Sequence, residues 1–231
     1  MVSTDPKKLL AFIDNAKGYW IIQKYIERPM LVNGRKFDIR TWHLISALKP
    51  NTTLKVYTYD EGVLRLSSKK YKNSNFDDQF THLTNNAIQQ EHPEYGKNEK
   101  NNLLDLTDLD PILQKAHMDY KGESKLPSKP LTTCGDVIPS INRTVMDTLK
   151  CILDFLLPQP YAAYHLLGYD FMLTETGKVV LLEVNLTPGT SPDRVSRMVS
   201  SLVELCIDPE FDCGRPASES NAFKYVGDID L

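Results

Sequence analysis

The stretch that decides the fold is Gly168–Pro188, GYDFMLTETGKVVLLEVNLTP. Two runs rich in β-forming residues, Tyr169–Thr174 and Lys178–Asn185, flank the pair Thr176-Gly177. This pattern is typical of a β-hairpin, and the short polar interruption predicts a two-residue turn. The chain therefore contains at least one antiparallel strand pair whose side-chain register can be read from the turn.

The register of this hairpin determines which polar side chains face each other. If Glu175 lies opposite Lys178, then Asp170 lies directly opposite Glu183, and Asn185 follows on the same face of its strand. Like charges placed opposite each other destabilise a sheet, unless a cation lies between them. Carboxylate and amide oxygens suit Mg²⁺, which takes few protein ligands and accepts others from substrate phosphates. The alternative is a hairpin end with solvated carboxylates and Asn185 as a turn residue.

Length and composition limit the classes of function. With 231 residues, 41% of them hydrophobic, the chain can bury a substantial core. A net charge of −3 does not indicate bulk nucleic-acid binding. Apolar runs such as Val179–Leu182 are too short to span a membrane, and Met1–Ala11 lacks the order of a signal peptide. Four cysteines without a CxxC pair favour a reduced, cytoplasmic setting.

Apolar periodicity predicts most of the remaining elements. Helical spacing predicts helices over Asp5–Asn15, Ser140–Leu157 and Ser191–Ile207, and more weakly over Pro111–Tyr120. The run Tyr19–Ile26, YWIIQKYI, is rich in β-formers and predicts a buried strand.

A second hairpin is predicted farther along the chain. Leu54–Tyr59 and Val63–Leu66 would be its arms, around Asp60-Glu61-Gly62. By contrast, Glu91–Pro139 is polar and proline-containing and favours a long, partly disordered surface insertion. Asp208–Leu231 shows little periodicity and is interpreted as a tail.

A charged strand precedes the second hairpin. As a strand, Arg35–Leu48 (RKFDIRTWHLISAL) places Lys36, Asp38 and Arg40 on one face. A solvated sheet face and a polar cleft wall that binds an anion both fit this alternation. In Phe80–Gln90 (FTHLTNNAIQQ) a polar cluster fits either helix capping or ligand contact.

Taken together, these stretches resemble the tubulin-tyrosine ligase and ligase-like family, whose members have an ATP-grasp fold. The resemblance is carried, in family order, by IIQKYIERPMLVNGRKFDIRTW, EGVLRLSS, YKNSNFDDQFTHLTNNAIQ and GYDFMLTETGKVVLLEVN, with the E-x-N ending at Glu183–Asn185. It implies an α+β, ATP-grasp-like fold class, a mainly antiparallel sheet packed with helices, comprising central and C-terminal parts only. The resemblance also implies three parts of the chain. Residues 1–26 would be the end of a central subdomain with an adenine-lining strand. Residues 27–207 would form a C-terminal ATP-grasp domain with a polar insertion at about 91–139, and residues 208–231 would be a tail.

The resemblance also implies a set of site residues. Adenine contacts are expected at Gln23, Lys24, Tyr25 and Ile26, and further nucleotide contacts at Lys36, Asp38, Thr84 and Asn85. Arg40 and Arg65 resemble the arginines that face the γ-phosphate and the acyl group, and Asp170, Glu183 and Asn185 resemble the Mg²⁺ ligands.

The implied reaction is ATP-dependent amide bond formation through an acyl phosphate, with ATP and Mg²⁺ as cofactors. Expected partners are the acidic C-terminal tail of tubulin and a free amino acid, with tyrosine first and glutamate or glycine next. No nucleic acid or membrane partner is expected, and association with microtubules, cilia or basal bodies would follow. A local basic patch for the tail is expected from residues that include Arg35, Lys36, Arg40, Arg65, Lys69, Lys70 and Lys72.

One departure from the family concerns the phosphate loop. No glycine-rich loop precedes the match and no GxG occurs in the chain, so an N-terminally truncated member is expected. Activity of this chain alone is left open by that departure. The alternative is a non-catalytic ligase-like protein that binds tubulin or nucleotide.

Overall fold

The computed structural model of the protein describes residues 2–47, 53–119, 127–153, 161–211 and 217–230. Its helices are α1 (Pro6–Asn15), α2 (Gln79–His82), α3 (Asn86–Gln89), α4 (Leu109–Asp119), α5 (Ile138–Cys151) and α6 (Pro192–Cys206). Its strands are β1 (Leu31–Val32), β2 (Arg35–Ala47), β3 (Thr53–Lys70), β4 (Leu103–Asp105), β5 (Ala163–Leu173), β6 (Val179–Asn185) and β7 (Phe223–Asp230).

The strands form one antiparallel sheet. Its main path runs β4-β3-β2-β5-β6, while β1 pairs with β2 and β7 pairs with β3. Helices cover both faces of this sheet, which confirms the expected α+β class with a mainly antiparallel sheet. The long central strand β2 has partners on both sides, so its side chains lie in the middle of the molecule.

The two faces of β2 enter different hydrophobic clusters. Phe37 and Ile39 point toward α5, whose Ile141, Val145 and Leu149 recur at helical spacing and are at most 1% exposed. Burial of each such side chain contributes roughly 2 kcal/mol to the free energy of unfolding. On the opposite face, near the C-terminal end of β2, Trp42, Leu44, Tyr59, Met198 and Cys206 form a second cluster with α6.

Three predicted helices are confirmed. They are α1, α5 and α6, and α6 begins directly after Ser191 with Pro192 at its first position. The end of the predicted Ser140–Leu157 helix lies outside the described residues. Within the described ranges no helix is long and apolar enough to cross a membrane.

The hairpin of β5 and β6 pairs Asp170 with Glu183 as predicted, but its turn and the register next to the turn differ from the prediction. The Thr174 amide donates to the Lys178 carbonyl at 3.0 Å, so the loop holds three residues, with Gly177 at φ 79°. Threonine disfavours the positive φ that a two-residue type I′ turn requires at both positions, which explains the longer loop. Leu182 is then skipped as a β-bulge, and this extra residue restores Asp170 to a position opposite Glu183.

The second predicted hairpin is wrong. Thr53–Lys70 is one continuous strand, β3, and Asp60-Glu61-Gly62 forms an irregularity between the pairs Thr41↔Gly62 and His43↔Thr58. A side chain at Gly62 would meet Leu106 Cδ2 at 2.9 Å. The glycine therefore permits close packing and does not mark a chain reversal.

The buried strand predicted at Tyr19–Ile26 is also wrong. These residues are all described and none of them belongs to a strand; Tyr19 is fully exposed and Ile21 is 89% exposed. Strand propensity reflects packing on a sheet surface, and no described strand pairs with this segment.

The predicted insertion and tail both contribute to the sheet or core. From the insertion, β4 pairs with β3, and Leu109 and Leu113 of α4 are buried. The predicted Pro111–Tyr120 helix is confirmed as α4, although Tyr120 lies outside the described residues. The segment interpreted as a tail supplies strand β7, which was not predicted and whose Phe223 and Ile229 are 4% exposed.

Candidate functional site

The charged face of β2 is buried and forms the wall of the candidate site. Lys36 and Asp38 are 4% and 3% exposed, and the Arg40 side chain is 12% exposed. Because the three side chains alternate along β2, they lie in a row with the apolar core behind them. A solvated sheet face, one of the two interpretations of the sequence, is therefore wrong.

Two arginines and two carboxylates form a continuous hydrogen-bonded chain across three strands. Arg65 on β3 binds Asp38 twice, through Nε to Oδ1 at 2.6 Å and Nη2 to Oδ2 at 2.8 Å. The same Nη2 donates to Oδ2 of Asp170 at 2.7 Å. Arg40 binds Asp170 through Nε and through Nη2, the latter at 2.8 Å. The four formal charges sum to zero, and both Asp170 oxygens accept from arginine.

The electrostatics of Asp170 follow from this arrangement. Burial alone would raise its pKa, but hydrogen bonds and charges from Arg40 and Arg65 outweigh burial, so the pKa lies below its usual value. The neighbouring carboxylates hold the pKa of Arg65 above its usual value despite burial. Asp170 and Arg65 are therefore both ionised at neutral pH.

Lys36 occupies the end of the row in a mixed polar and aromatic environment. Its Nζ donates to the Tyr25 hydroxyl and to the His82 carbonyl oxygen, both at 3.0 Å, and lies 4.2 Å from the centre of the Tyr25 ring. Burial lowers the pKa of Lys36 to about 8, although the charge of Asp38 opposes that shift. A buried ammonium with this geometry is suited to an anionic ligand.

Thr84 and Asn85, the predicted nucleotide contacts after α2, have different surroundings. Thr84 is 6% exposed and its hydroxyl donates to Oδ2 of Asp38, which attaches it to the charged row. Asn85 is exposed, and its side-chain oxygen caps α3 by accepting from the Ala87 amide at 3.0 Å. Helix capping, the alternative interpretation of this cluster, is thus confirmed for Asn85.

The four predicted adenine contacts form two pairs that differ in solvent exposure. Gln23 and Lys24 are exposed, whereas Tyr25 and Ile26 are half-buried. Tyr25 is joined to the charged row through Lys36. The role of these residues as base contacts stays a prediction.

The predicted Mg²⁺ ligands fit an ion only in part. Glu183 is exposed, and the Asn185 amide donates to its Oε1 at 3.2 Å, so two oxygen-bearing side chains lie together at the sheet edge. Mg²⁺ is commonly held by one or two carboxylates together with substrate phosphates, which these two residues fit. Asp170 does not fit in this arrangement, because arginines hold both of its oxygens. Among the described residues no group of three His, Cys, Asp or Glu side chains could hold a metal.

The predicted basic patch is partly neutralised within the chain. Arg35 pairs with Glu99 at 2.5 Å, and Lys69 pairs with Asp78 at 2.9 Å. Arg40 and Arg65 are paired internally as well, whereas Lys36, Lys70 and Lys72 form no ion pair within the part of the chain that the structure describes.

Sequence reasoning missed the position of His82 beside the site. Its Nδ1 lies 2.8 Å from the Tyr25 hydroxyl, and its carbonyl contacts Lys36. Gln89 was also missed: its Oε1 accepts from the Ser68 amide at 2.7 Å, and its Nε2 donates to the Leu83 carbonyl. The polar density of THLTN was the available indication, since polar residues seldom lie among buried ones without partners.

Comparison with known proteins gives relatives of one kind. Tubulin glycylase 3C of Tetrahymena thermophila is 28% identical over 228 residues, which cover 95% of this chain and 20% of that protein. A probable tubulin polyglutamylase, ttll-9 of Caenorhabditis elegans, is 32% identical over 74% of this chain and 37% of its own length. Tubulin monoglycylase TTLL3 of Danio rerio is 32% identical over 75% of this chain and 21% of its own length.

The chain therefore spans from about a fifth to somewhat over a third of the length of these relatives. The sequence model of the tubulin-tyrosine ligase family matches residues 1–221, which include the whole candidate site. This match agrees with the antiparallel sheet and confirms the expected ATP-grasp-like, α+β fold class. The chain belongs to the tubulin-tyrosine ligase family.

Proposed function

We propose that this chain carries the phosphate- and acyl-binding part of an ATP-dependent ligase that joins an amino acid to a carboxylate of a tubulin tail. The observation that carries the proposal is the buried row of Lys36, Arg40 and Arg65 on one sheet face. Three cationic groups at one wall of low dielectric stabilise an anion far better than the same groups would in water. Family membership and the names of the relatives support tubulin as the substrate.

The chemistry is a two-step exchange at a carboxyl carbon. The acceptor carboxylate attacks the γ-phosphorus of ATP, which forms an acyl phosphate and releases ADP. The amine of the incoming amino acid then attacks the acyl carbon, and an amide forms as phosphate leaves. In this proposal Lys36 holds phosphate oxygens, while Arg40 and Arg65 use their planar forks on the transferred phosphoryl group and the acyl oxygen.

Mg²⁺ would be held by Glu183 and Asn185, where it neutralises phosphate charge when bound. Glu183 is exposed, Asn185 is half-buried, and their adjacent side chains at the sheet edge support this assignment. Asp170 would become a third ligand only after leaving Arg40 and Arg65. The arginines in turn release Asp170 most readily when an anion replaces it, so we expect cation and anion to bind with positive coupling.

The amino acid added is proposed to be glycine or glutamate. The relatives reported above are named as glycylases and a polyglutamylase, which gives tyrosine, the first expectation from the sequence, no support. Location at microtubules in the cytoplasm is part of the same proposal, since the relatives are named for tubulin.

The test is incorporation of labelled glycine, glutamate or tyrosine into tubulin by this chain with ATP and Mg²⁺. We expect Glu183→Gln to abolish incorporation without loss of folding, because Glu183 is exposed. Glu210→Gln, another exposed carboxylate outside the site, should retain full activity. Full activity in Glu183→Gln would refute the metal assignment. Nucleotide binding with no incorporation of any amino acid would favour the non-catalytic alternative.

A further inference from the structure

We propose that Tyr25 and His82 are positioning residues that hold the Lys36 ammonium in place to bind a phosphate group. This inference rests on the proposed function and assigns a purpose to two side chains that the reaction itself does not require. Neither residue is placed in contact with the reacting atoms. Their effect would be transmitted through Lys36.

A hydrogen-bonded chain links the three side chains to the backbone. Lys36 Nζ lies 3.0 Å from the Tyr25 hydroxyl, that hydroxyl lies 2.8 Å from His82 Nδ1, and His82 Nε2 lies 3.1 Å from the Ser74 carbonyl oxygen. The segments involved are far apart in sequence, so only the fold brings them together. This series of hydrogen bonds ends on a backbone carbonyl group, which anchors it rigidly.

With a neutral His82 ring, the chemistry of the partners determines the direction of every hydrogen bond in this series. A carbonyl oxygen can only accept, so His82 Nε2 carries the proton and donates to Ser74. Nδ1 is then an acceptor, and the Tyr25 hydroxyl donates to it. The lone pairs of that hydroxyl are consequently left to accept from the Lys36 ammonium. Donors that point the same way polarise one another, which strengthens the bond to the cation.

His82 holds Lys36 at a second point. Its carbonyl oxygen accepts from Lys36 Nζ at 3.0 Å, so one residue supports the ammonium both directly and through Tyr25. The His82 ring is fixed in turn by stacking on Phe76, with ring centres 5.0 Å apart. Two of the three ammonium hydrogens are thereby directed to protein oxygens, and the third has no acceptor among the described residues.

The protonation of Lys36 is sensitive to these contacts. Its pKa is lowered by burial to about 8, so the charged fraction near neutral pH depends on each group that stabilises the ammonium. The titratable groups around it are Asp38 on β2, Tyr25, His82 on α2 and Tyr71, which lies against both Tyr25 and His82. Substitution of Tyr25 removes a direct contact to the ammonium, and substitution of His82 removes the ring that holds Tyr25; neither change alters the anionic charge of the site.

The experiment compares Tyr25→Phe, which keeps the ring and removes the hydroxyl, with wild type. Binding of ATP, and separately of inorganic pyrophosphate, is measured by calorimetry from pH 6.5 to 9.5. We expect about tenfold weaker binding near pH 8 and a midpoint of the pH profile that moves to lower pH, because the ammonium loses an acceptor. The matched control is Tyr95→Phe, whose hydroxyl donates to Asn86 at 2.8 Å, and it should behave as wild type.

His82 is tested by loss and rescue. His82→Ala should reproduce the Tyr25→Phe profile, and His82→Asn should recover much of the lost affinity, because its amide oxygen can replace Nδ1 as acceptor. A ligand-free readout accompanies these variants: the Cε chemical shift of Lys36, assigned with Lys36→Arg, is titrated by NMR. Its midpoint should fall in Tyr25→Phe and stay unchanged in Tyr95→Phe.

The outcomes separate the inference from the proposed function. An unchanged NMR midpoint in Tyr25→Phe, or weaker binding that is equal at every pH, would show that Tyr25 only packs and would overturn the inference. If wild type binds neither ATP nor pyrophosphate, the proposed function fails, and the claim that Lys36 serves a phosphate fails with it. If wild type binds both ligands and Tyr25→Phe matches it throughout, the inference alone fails.

Discussion

Arg65 on β3 donates a 2.7 Å hydrogen bond from Nη2 to Oδ2 of Asp170 on β5, across the strand β2 that lies between them. The same guanidinium binds Asp38 on β2 at two points. One arginine therefore ties three neighbouring strands together at the level of the site. Its planar fork makes this possible, since a lysine offers a single donor centre.

Removal of this tie is expected to destabilise the fold. Arg65→Met leaves Asp38 without its bidentate partner and removes one of the two arginines that compensate the negative charge of Asp170. We therefore expect a loss of about 3 kcal/mol in the free energy of unfolding. Urea denaturation measures the loss. Arg197→Met is the control: Arg197 also binds two carboxylates but its side chain is 44% exposed, and the expected loss is below about 1 kcal/mol. Equal losses in both variants would contradict the role of burial.

A second prediction concerns the formal charges of Arg40, Arg65, Asp38 and Asp170, which sum to zero. Asp170→Asn changes the group of Arg40, Arg65, Asp38 and residue 170 from zero to one net positive charge. We expect roughly tenfold tighter binding of pyrophosphate without Mg²⁺ at low salt, an effect that high salt should reduce. Calorimetry measures the affinity, with the exposed Asp14→Asn as control. Weaker binding would mean that Asp170 supports the anion and does not compete with it.

A third prediction tests the close approach of β5 to the segment after β6. A Cβ on Gly168 would lie 2.5 Å from Pro188 Cβ, closer than packed carbon atoms allow. Gly168→Ala should therefore shift the Pro188 segment next to Asn185 and reduce stability by about 2 kcal/mol. Gly189→Ala adds the same methyl group at a position where nothing lies within 4 Å, so its melting temperature in thermal unfolding should be close to that of wild type. A wild-type melting temperature for Gly168→Ala would contradict this packing.

A fourth prediction concerns acid pH and the buried His43. Thr58 donates to Asn142 at 2.7 Å, so its oxygen accepts from His43 Nδ1 at 3.0 Å, while Nε2 faces the Thr41 hydroxyl at 2.9 Å. Complete burial lowers the pKa of His43 from 6.5 to about 3. Between these values the unfolded chain binds a proton that the folded protein does not, so stability is full above pH 6.5 and falls as the pH decreases.

The expected size of the effect is about 2 kcal/mol lost between pH 7.5 and pH 5 on account of His43. Urea unfolding at the two pH values measures it. His43→Gln retains hydrogen-bonding groups and does not titrate, so its loss over the same interval should be smaller by about that amount. An identical pH dependence in the variant and in wild type would assign the acid sensitivity to other groups.

Local pattern was sufficient for several elements of this fold. The apolar repeats of α5 and α6 predict helices because one helical face must be apolar to pack. The pairing of Asp170 with Glu183 was also predicted, although the true turn is one residue longer and the bulge at Leu182 offsets it. The predicted pairing is correct because the longer turn and the bulge shift the register by one residue each, in opposite directions.

Other elements could not be predicted because their structure depends on partners distant in sequence. Phe223–Asp230 has no clear periodicity of its own and becomes a strand because β3 offers a free edge. Tyr19–Ile26 has strong β propensity and stays out of the sheet, since no described strand pairs with it. Gly62 marks close packing against Leu106, which no local pattern shows.

The sequence by itself determined the residue types at the site and the family, since Lys36, Asp38 and Arg40 must share one face of any strand that contains them. It could not determine how those charges are compensated. Only the sheet order β3-β2-β5 brings Arg65 and Arg40 onto Asp170, and only the packing of α2 brings His82 to Tyr25 and Lys36. The physical reason is that charge pairing depends on distances of a few ångströms between strands, which the order of residues along the chain does not specify.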